Sequence, residues 1–253
     1  MTRSIEQLVE EQARRWRLEQ AERNTAKEKP LPTAPPNVVT ISNAFGSQAT
    51  GVGHRVGTLL EIPVYDREIT EHIATNAQVK VETVATLDQR AQGILDEYIS
   101  ALFRERSYAH TDYLHGLSKT ITALWRHGPC VLIGHGSTHI VDRRHALRIR
   151  ITAPEDERIR RVQELEQLDK DAARKRVRQV DAERAGFHKR CFRADVNDPL
   201  NFDIVLNCEH LPLATCATLI ASAYREKFAS PTAKDLVDEE WSRRLSIPPH
   251  AVR

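Results

Sequence analysis

Long hydrophobic runs are missing from this sequence. No stretch approaches the roughly 20 consecutive apolar residues that a bilayer-spanning helix needs. The opening MTRSIEQLVEEQARRWRLEQ has no uninterrupted apolar region of the secretory kind. A membrane partner is therefore not expected, and the expected location is the cytoplasm. Charge of one sign is missing too: 37 Lys and Arg oppose 35 Asp and Glu, for a formal +2. No bulk field draws such a chain to nucleic acid or anionic lipid. The basic stretches RRHALRIR and RKRVR come without an aromatic platform for bases, and acidic residues flank the second. Nucleic acid is not an expected partner.

The four cysteines, Cys130, Cys191, Cys208 and Cys216, include no C-x-x-C pair, which argues against a disulfide framework. Three of them stand in apolar runs (CVLI, IVLNC and LATCATLI) and read as small hydrophobes. His135 and His139 lie near Cys130, but structural zinc asks for a second pair of ligands. No metal site is read from these residues. A G-x-S-x-G elbow is also absent, leaving a serine hydrolase without local support.

What is present is a chain of 253 residues, 40% apolar and 28% charged, long enough to bury a substantial core. Residues 1–29 favour a helix whose apolar stripe, Ile5, Leu8, Val9 and Trp16, is too thin to stand alone. It is expected to pack on the main domain or on a second subunit, which makes a homo-oligomer or a protein partner through this helix an expectation. KPLPTAPPN then forms an extended linker, closing a first segment at residue 36. The main domain is expected over 37–228. It opens with a strand, VVTIS, then a glycine loop, a helix over His54–Ile62 and a second strand over Ile62–Asp66.

A helical insert follows at about 67–127, then strands at CVLIG and LRIRIT. Charged helices over Pro154–Leu168 and Lys170–Arg190, a strand at FDIVLN and a helix over Leu211–Tyr224 complete the domain, leaving 229–253 as a polar tail. Strands alternating with helices predict an α/β fold: a parallel sheet flanked by helices, with ligands at the carboxyl ends of the strands.

Gly46 to Gly51 has the glycine spacing of a phosphate loop between a strand and a helix, where backbone donors and the helix N-terminus hold anionic phosphate. Such a loop normally continues with Lys and then Ser or Thr; here Val52 and Gly53 follow. The same glycines alone also suit a tight strand-to-helix turn.

The blocks VVTISNAFGSQATGVGHRVGTLLEIPVYDREI, CVLIGHGS, RIRITAPEDERIRRV, VRQVDAERAGFHKR and NDPLNFDIVLN resemble the cytidylate kinase-like family of P-loop proteins, a resemblance that covers about residues 38–225. The resemblance implies a P-loop nucleoside monophosphate kinase-like fold with a helical insert and a lid, here about 166–195. It implies ATP and Mg2+ as cofactors and phosphoryl transfer to CMP or a related nucleoside monophosphate. It puts Gly46, Ser47, Thr50, Gly51 and Gly53 at the phosphate loop and Asp66 toward the acceptor nucleotide. Arg158 and Arg161 then precede the lid, whose motif is Arg178, Asp181 and Arg184.

Arginine forks suit phosphate oxygens, as this chemistry requires. Two alternatives stand beside these roles: Arg178, Asp181 and Arg184 as a solvated, ion-paired helix face, and Asp66 as a helix cap. The family loop looks like F-G-S-G-G-R-E-I-G, whereas this chain reads Phe45-Gly-Ser-Gln-Ala-Thr-Gly-Val-Gly53 and carries no cation there. His135 stands where the family tends to have arginine. A second reading is therefore a catalytically silent relative, a nucleotide-binding or protein-interaction module with a regulatory role.

Overall fold

The computed structural model describes residues 36–66, 89–105 and 111–229, together with Arg14 and Leu18. The expected N-terminal helix and linker, the first third of the helical insert and the polar tail lie outside the described residues, but for Arg14, Leu18, Pro36 and Ala229.

Five strands form one sheet: β1 (Val38–Asn43), β2 (Val64–Tyr65), β3 (Val131–Ile133), β4 (Ala146–Thr152) and β5 (Ile204–Asn207). Their order is β2-β3-β1-β4-β5, and every pairing is parallel. Parallel neighbours need crossover connections, and these place helices on both faces. Seven helices are described: α1 (Ala49–Leu60), α2 (Gln89–Glu105), α3 (Asp112–His127), α4 (Ser137–Ile140), α5 (Glu155–Glu166), α6 (Lys170–Phe192) and α7 (Leu213–Lys227). This is the expected α/β class, with the sheet flanked by helices.

Alternate residues of β1 and β4 face opposite ways. Val39, Ile41, Ile149 and Ile151 pack with Val52 and Val56 of α1 and with Cys216 and Ile220 of α7. Across the sheet, Val38 and Leu132 join Leu95 and Ile99 of α2, Leu117 and Leu124 of α3, and Phe192 of α6. Each buried aliphatic of this kind contributes about 1.5–3 kcal/mol. Cys130, Cys208 and Cys216 are free and buried among these side chains, and burial pushes the Cys208 thiol up to about 12.

Two local outcomes differ from the sequence reading. Helix α1 begins at Ala49, five residues before the expected start, directly after Gln48 in a left-handed conformation with φ 61°. A helix needs only carbonyl acceptors for its first turn, and Val52 N–H takes one from Gln48 (3.2 Å). Gly53 lets the helix lie flush on the sheet, since a Cβ there would stand 2.4 Å from Cδ1 of Ile133. The second difference is in LRIRIT, whose alternation has the look of one wet face. Arg148 and Arg150 are in fact each only 7% exposed, because β4 is an interior strand covered on both sides. Arg148 pairs through one Nη with Asp203 (2.7 Å), which also holds Lys227 (2.6 Å).

Candidate functional site

The glycine loop leaves the carboxyl end of β1 and is held by α5 and α6. Gly46 has φ +79°, and a Cβ on it would stand 2.8 Å from the Arg158 carbonyl oxygen, so only glycine fits there. Arg158 of α5 donates to the carbonyls of Ala153 (3.0 Å) and Phe45 (3.0 Å) and to Oδ2 of Asp181 (2.5 Å). The other Asp181 oxygen accepts from Phe45 N–H (2.9 Å). One carboxylate thus ties α6 to both the loop backbone and α5. Arg184, one turn along α6, donates to the Asn43 carbonyl (2.9 Å), and its guanidinium lies 5.6 Å from the centre of the Phe45 ring. Arg176 sits at the same distance from that ring.

Two cavities flank this loop. One, of about 510 Å³, is lined by Phe45, Gly46, Gln48, Ala49, Arg161 and the aliphatic part of α5. The other, of about 200 Å³, lies between the ends of β1 and β3 and the inner face of α6, with Ser42, His135, Glu183 and His188 on its walls. Asn43, Thr50 and Arg184 line both. In the first cavity Arg161 is anchored by Glu157 (2.9 Å) and the Cys208 carbonyl (2.8 Å), while its buried Nη1 has no hydrogen-bond partner among the described residues. The guanidinium itself puts a positive charge beside the cavity, which favours an anion there.

In the second cavity His188 shares a hydrogen bond with His139 of α4 (3.1 Å between Nε2 and Nδ1). Burial first, then His139 and the cations Arg150 and Arg184, hold its pKa at about 3, so the ring is neutral at physiological pH. His135 has φ +52° between two left-handed glycines, Gly134 and Gly136.

Of the residues singled out from sequence, Gly46, Thr50, Arg161, Arg184 and His135 lie on cavity walls. Ser47 is fully buried, its hydroxyl without a hydrogen-bond partner among the described residues. Gly51 and Gly53 belong to the first turns of α1. Arg158 and Asp181 brace the loop from behind. Arg178 is exposed and pairs with Glu155 (2.8 Å), outside both cavities. Asp66 directly follows β2, 3.8 Å from His54. The basic run Arg143, Arg144 and His145 precedes β4, whose first residue is in register with Val38, so it sits at the end of the sheet opposite the loop.

Asn43, Glu183 and His188 escaped the sequence reading. Only Asn43, the residue that ends the first strand beside the glycine loop, carried a positional signal. Among the described residues no three His, Cys, Asp or Glu side chains are gathered for a metal, and no helix is long and apolar enough to cross a membrane.

Comparison with known proteins bears on the same residues. A crystal structure of an uncharacterized protein from Eubacterium ventriosum is similar at a TM-score of 0.60 and 18% identity, covering 75% of this chain and 98% of that one. At that identity the likeness speaks for the fold alone. Shikimate kinase from Bacteroides thetaiotaomicron aligns at a TM-score of 0.38 and 13% identity, over 75% of this chain and 96% of its own, too loosely to carry an argument. No curated protein matches. The sequence model of the Cytidylate kinase-like family matches residues 38–210, from β1 through the end of β5, and so takes in the loop, both cavities and the helices that brace them. By that match, which spans well over half its length, the chain belongs to the cytidylate kinase-like family.

Proposed function

We propose that the chain transfers the terminal phosphoryl group of ATP to CMP or a related nucleoside monophosphate. The observation that carries this is the pair of adjoining cavities with Asn43, Thr50 and Arg184 as their common wall. Phosphoryl transfer needs a donor and an acceptor held in line, with positive charge where the group passes between them. In this reading the loop cavity takes the ATP phosphates, on the amides of the first turn of α1 and on Arg161. The second cavity takes the acceptor. Arg184, at the divide, stabilises the charge on the group in flight.

Magnesium suits an oxygen donor set, and Asn43, Thr50 and Glu183 supply side-chain oxygens on the walls. When bound it would neutralise phosphate charge. Asp181 is not free for that task, because Arg158 and Phe45 N–H take both its oxygens. A coupled assay with ATP, magnesium and each common nucleoside monophosphate tests the proposal. Turnover is expected with CMP or a close relative, and Arg184→Ala is expected to lower it by about 100-fold or more. Undiminished turnover in that variant removes Arg184 from the transfer step.

A second reading, a nucleotide-binding module without turnover, is favoured by one feature: residues 45–53 contain no Lys or Arg. Nucleotide-dependent stabilisation without turnover would select it, since a ligand bound only to the folded chain raises its melting temperature.

A further inference from the structure

Arg150 is a charge buried without a counter-charge. It stands on β4 in register with Ser42 of β1. Its Nη1 donates to the Ser42 hydroxyl (2.9 Å) and its Nη2 to Oδ1 of Asn197 (3.1 Å), both neutral acceptors. Among the described residues no carboxylate forms an ion pair with it. Asp181 and Asp195 act on it only at longer range, and the Arg158 cation opposes them. Asp181 is in any case already committed to Arg158. A guanidinium stays protonated even where burial lowers its pKa, so Arg150 is a desolvated positive charge with no carboxylate in direct contact among the described residues.

The surroundings say where the balance comes from. Ser42 lines the acceptor-side cavity, and so does Val196, the neighbour of Asn197. Of the two groups that hold Arg150, Ser42 is thus on the cavity wall itself, and Asn197 follows a wall residue in sequence. Ser42 accepts from Arg150, and its own hydroxyl hydrogen meets no acceptor among the described residues. It is left to donate to something in the cavity. A hydroxyl polarised from behind by a cation is a strong donor to an anion.

We propose that Arg150 is a positioning residue for a phosphate group in this cavity: its charge acts through the Ser42 hydroxyl and adds positive potential on the acceptor side, next to a glycine loop that carries no cation. The inference rests on reading the two cavities as phosphate subsites. It makes phosphate binding in this chain depend on the floor of the sheet as well as on the loop. It also explains why LRIRIT carries an arginine at a position that the packing of an interior strand would fill with an aliphatic side chain.

Thermal unfolding of the full chain, alone and with CMP or inorganic phosphate as probes of the second cavity, tests it, using Arg150→Met, Arg150→Lys and Ser42→Ala. The Met variant removes the buried charge at similar volume. It is expected to melt no lower than the wild type without ligand and to lose most of the ligand-induced rise, with affinity for either probe weakened about 10-fold or more. Lys is expected to restore part of that rise. Ser42→Ala takes one acceptor from the buried guanidinium and is expected to lower the ligand-free melting temperature modestly and to bind both probes more weakly, which keeps the test decisive if the Met variant does not fold.

A wild-type rise that Arg150→Met retains in full overturns this inference and leaves the kinase reading standing. Wild-type affinity in Ser42→Ala does the same. No rise in the wild type with either probe overturns both.

Discussion

Asp181 shows what a single residue does for this site. Its two oxygens hold a backbone amide of the glycine loop and the guanidinium of Arg158, so a carboxylate on α6 sets the shape of a loop 136 positions away in sequence. Gly136 is a second residue whose backbone sets local shape, next to His135 on the wall of the second cavity. It has φ +68°, and a Cβ there would stand 2.2 Å from Cε2 of Phe192. Gly136→Ala is expected to destabilise the chain by about 1–3 kcal/mol, read as a shift in the midpoint of urea unfolding; an unchanged midpoint would mean that Phe192 moves aside freely. Phe192 also stacks on His139 at 4.9 Å between ring centres, so the same variant is expected to disturb the histidine pair.

At this scale sequence reasoning reached the residue types but not their partners. Arg178, Asp181 and Arg184 follow one another at helical spacing and suggest pairs along one face. In the structure each reaches a different neighbour: Glu155, Arg158 and the Asn43 carbonyl. Spacing along a helix states which side chains share a face; it says nothing of what the face meets.

Among the elements, α4 and α6 meet at a titratable contact. Unfolded, His188 titrates at its ordinary value of 6.5, and folded at about 3. Between these two values the unfolded chain binds more protons, so stability falls as the pH drops through that window and is fully present above it. Melting temperature is expected to decline from pH 7 to pH 5, and more gently in His188→Gln than in the wild type. Parallel slopes in the two proteins would show that another group governs the acid limb.

The strands and the long helices were legible as elements because apolar runs bounded by Gly, Pro and charged segments have few other uses. The expected helix over Lys170–Arg190 appears as α6, over Lys170–Phe192. The start of α1 was not legible, since Gln48-Ala49-Thr50-Gly51 reads as loop until Gly53 is seen packed on Ile133. The arginines of β4 misled in the opposite direction. Alternation is the mark of a half-wet strand, and here it distinguishes a face of aliphatic packing from a face of buried polar contacts around Thr40, Ser42, Arg148 and Arg150.

For the whole molecule, the boundaries proposed from sequence are a folded unit over 37–228 with a helical segment before it. A chain beginning at Asn37 tests that division. It is expected to fold with an unchanged circular-dichroism melting temperature. It is also expected to elute as a smaller species than the full chain if the N-terminal helix joins two copies; equal oligomeric states would remove that helix as a contact between subunits.

The sheet order carries one further consequence. β1 is the central strand, yet its partners β3 and β4 lie about 90 and 110 residues further along the chain. On a ribosome adding about 5–20 residues per second, the first strand waits some 5–20 seconds for either edge to be covered. Through that interval VVTISN offers two bare edges and an aliphatic surface. The strand that later anchors the glycine loop is thus, during synthesis, the part of the nascent chain most in need of a chaperone.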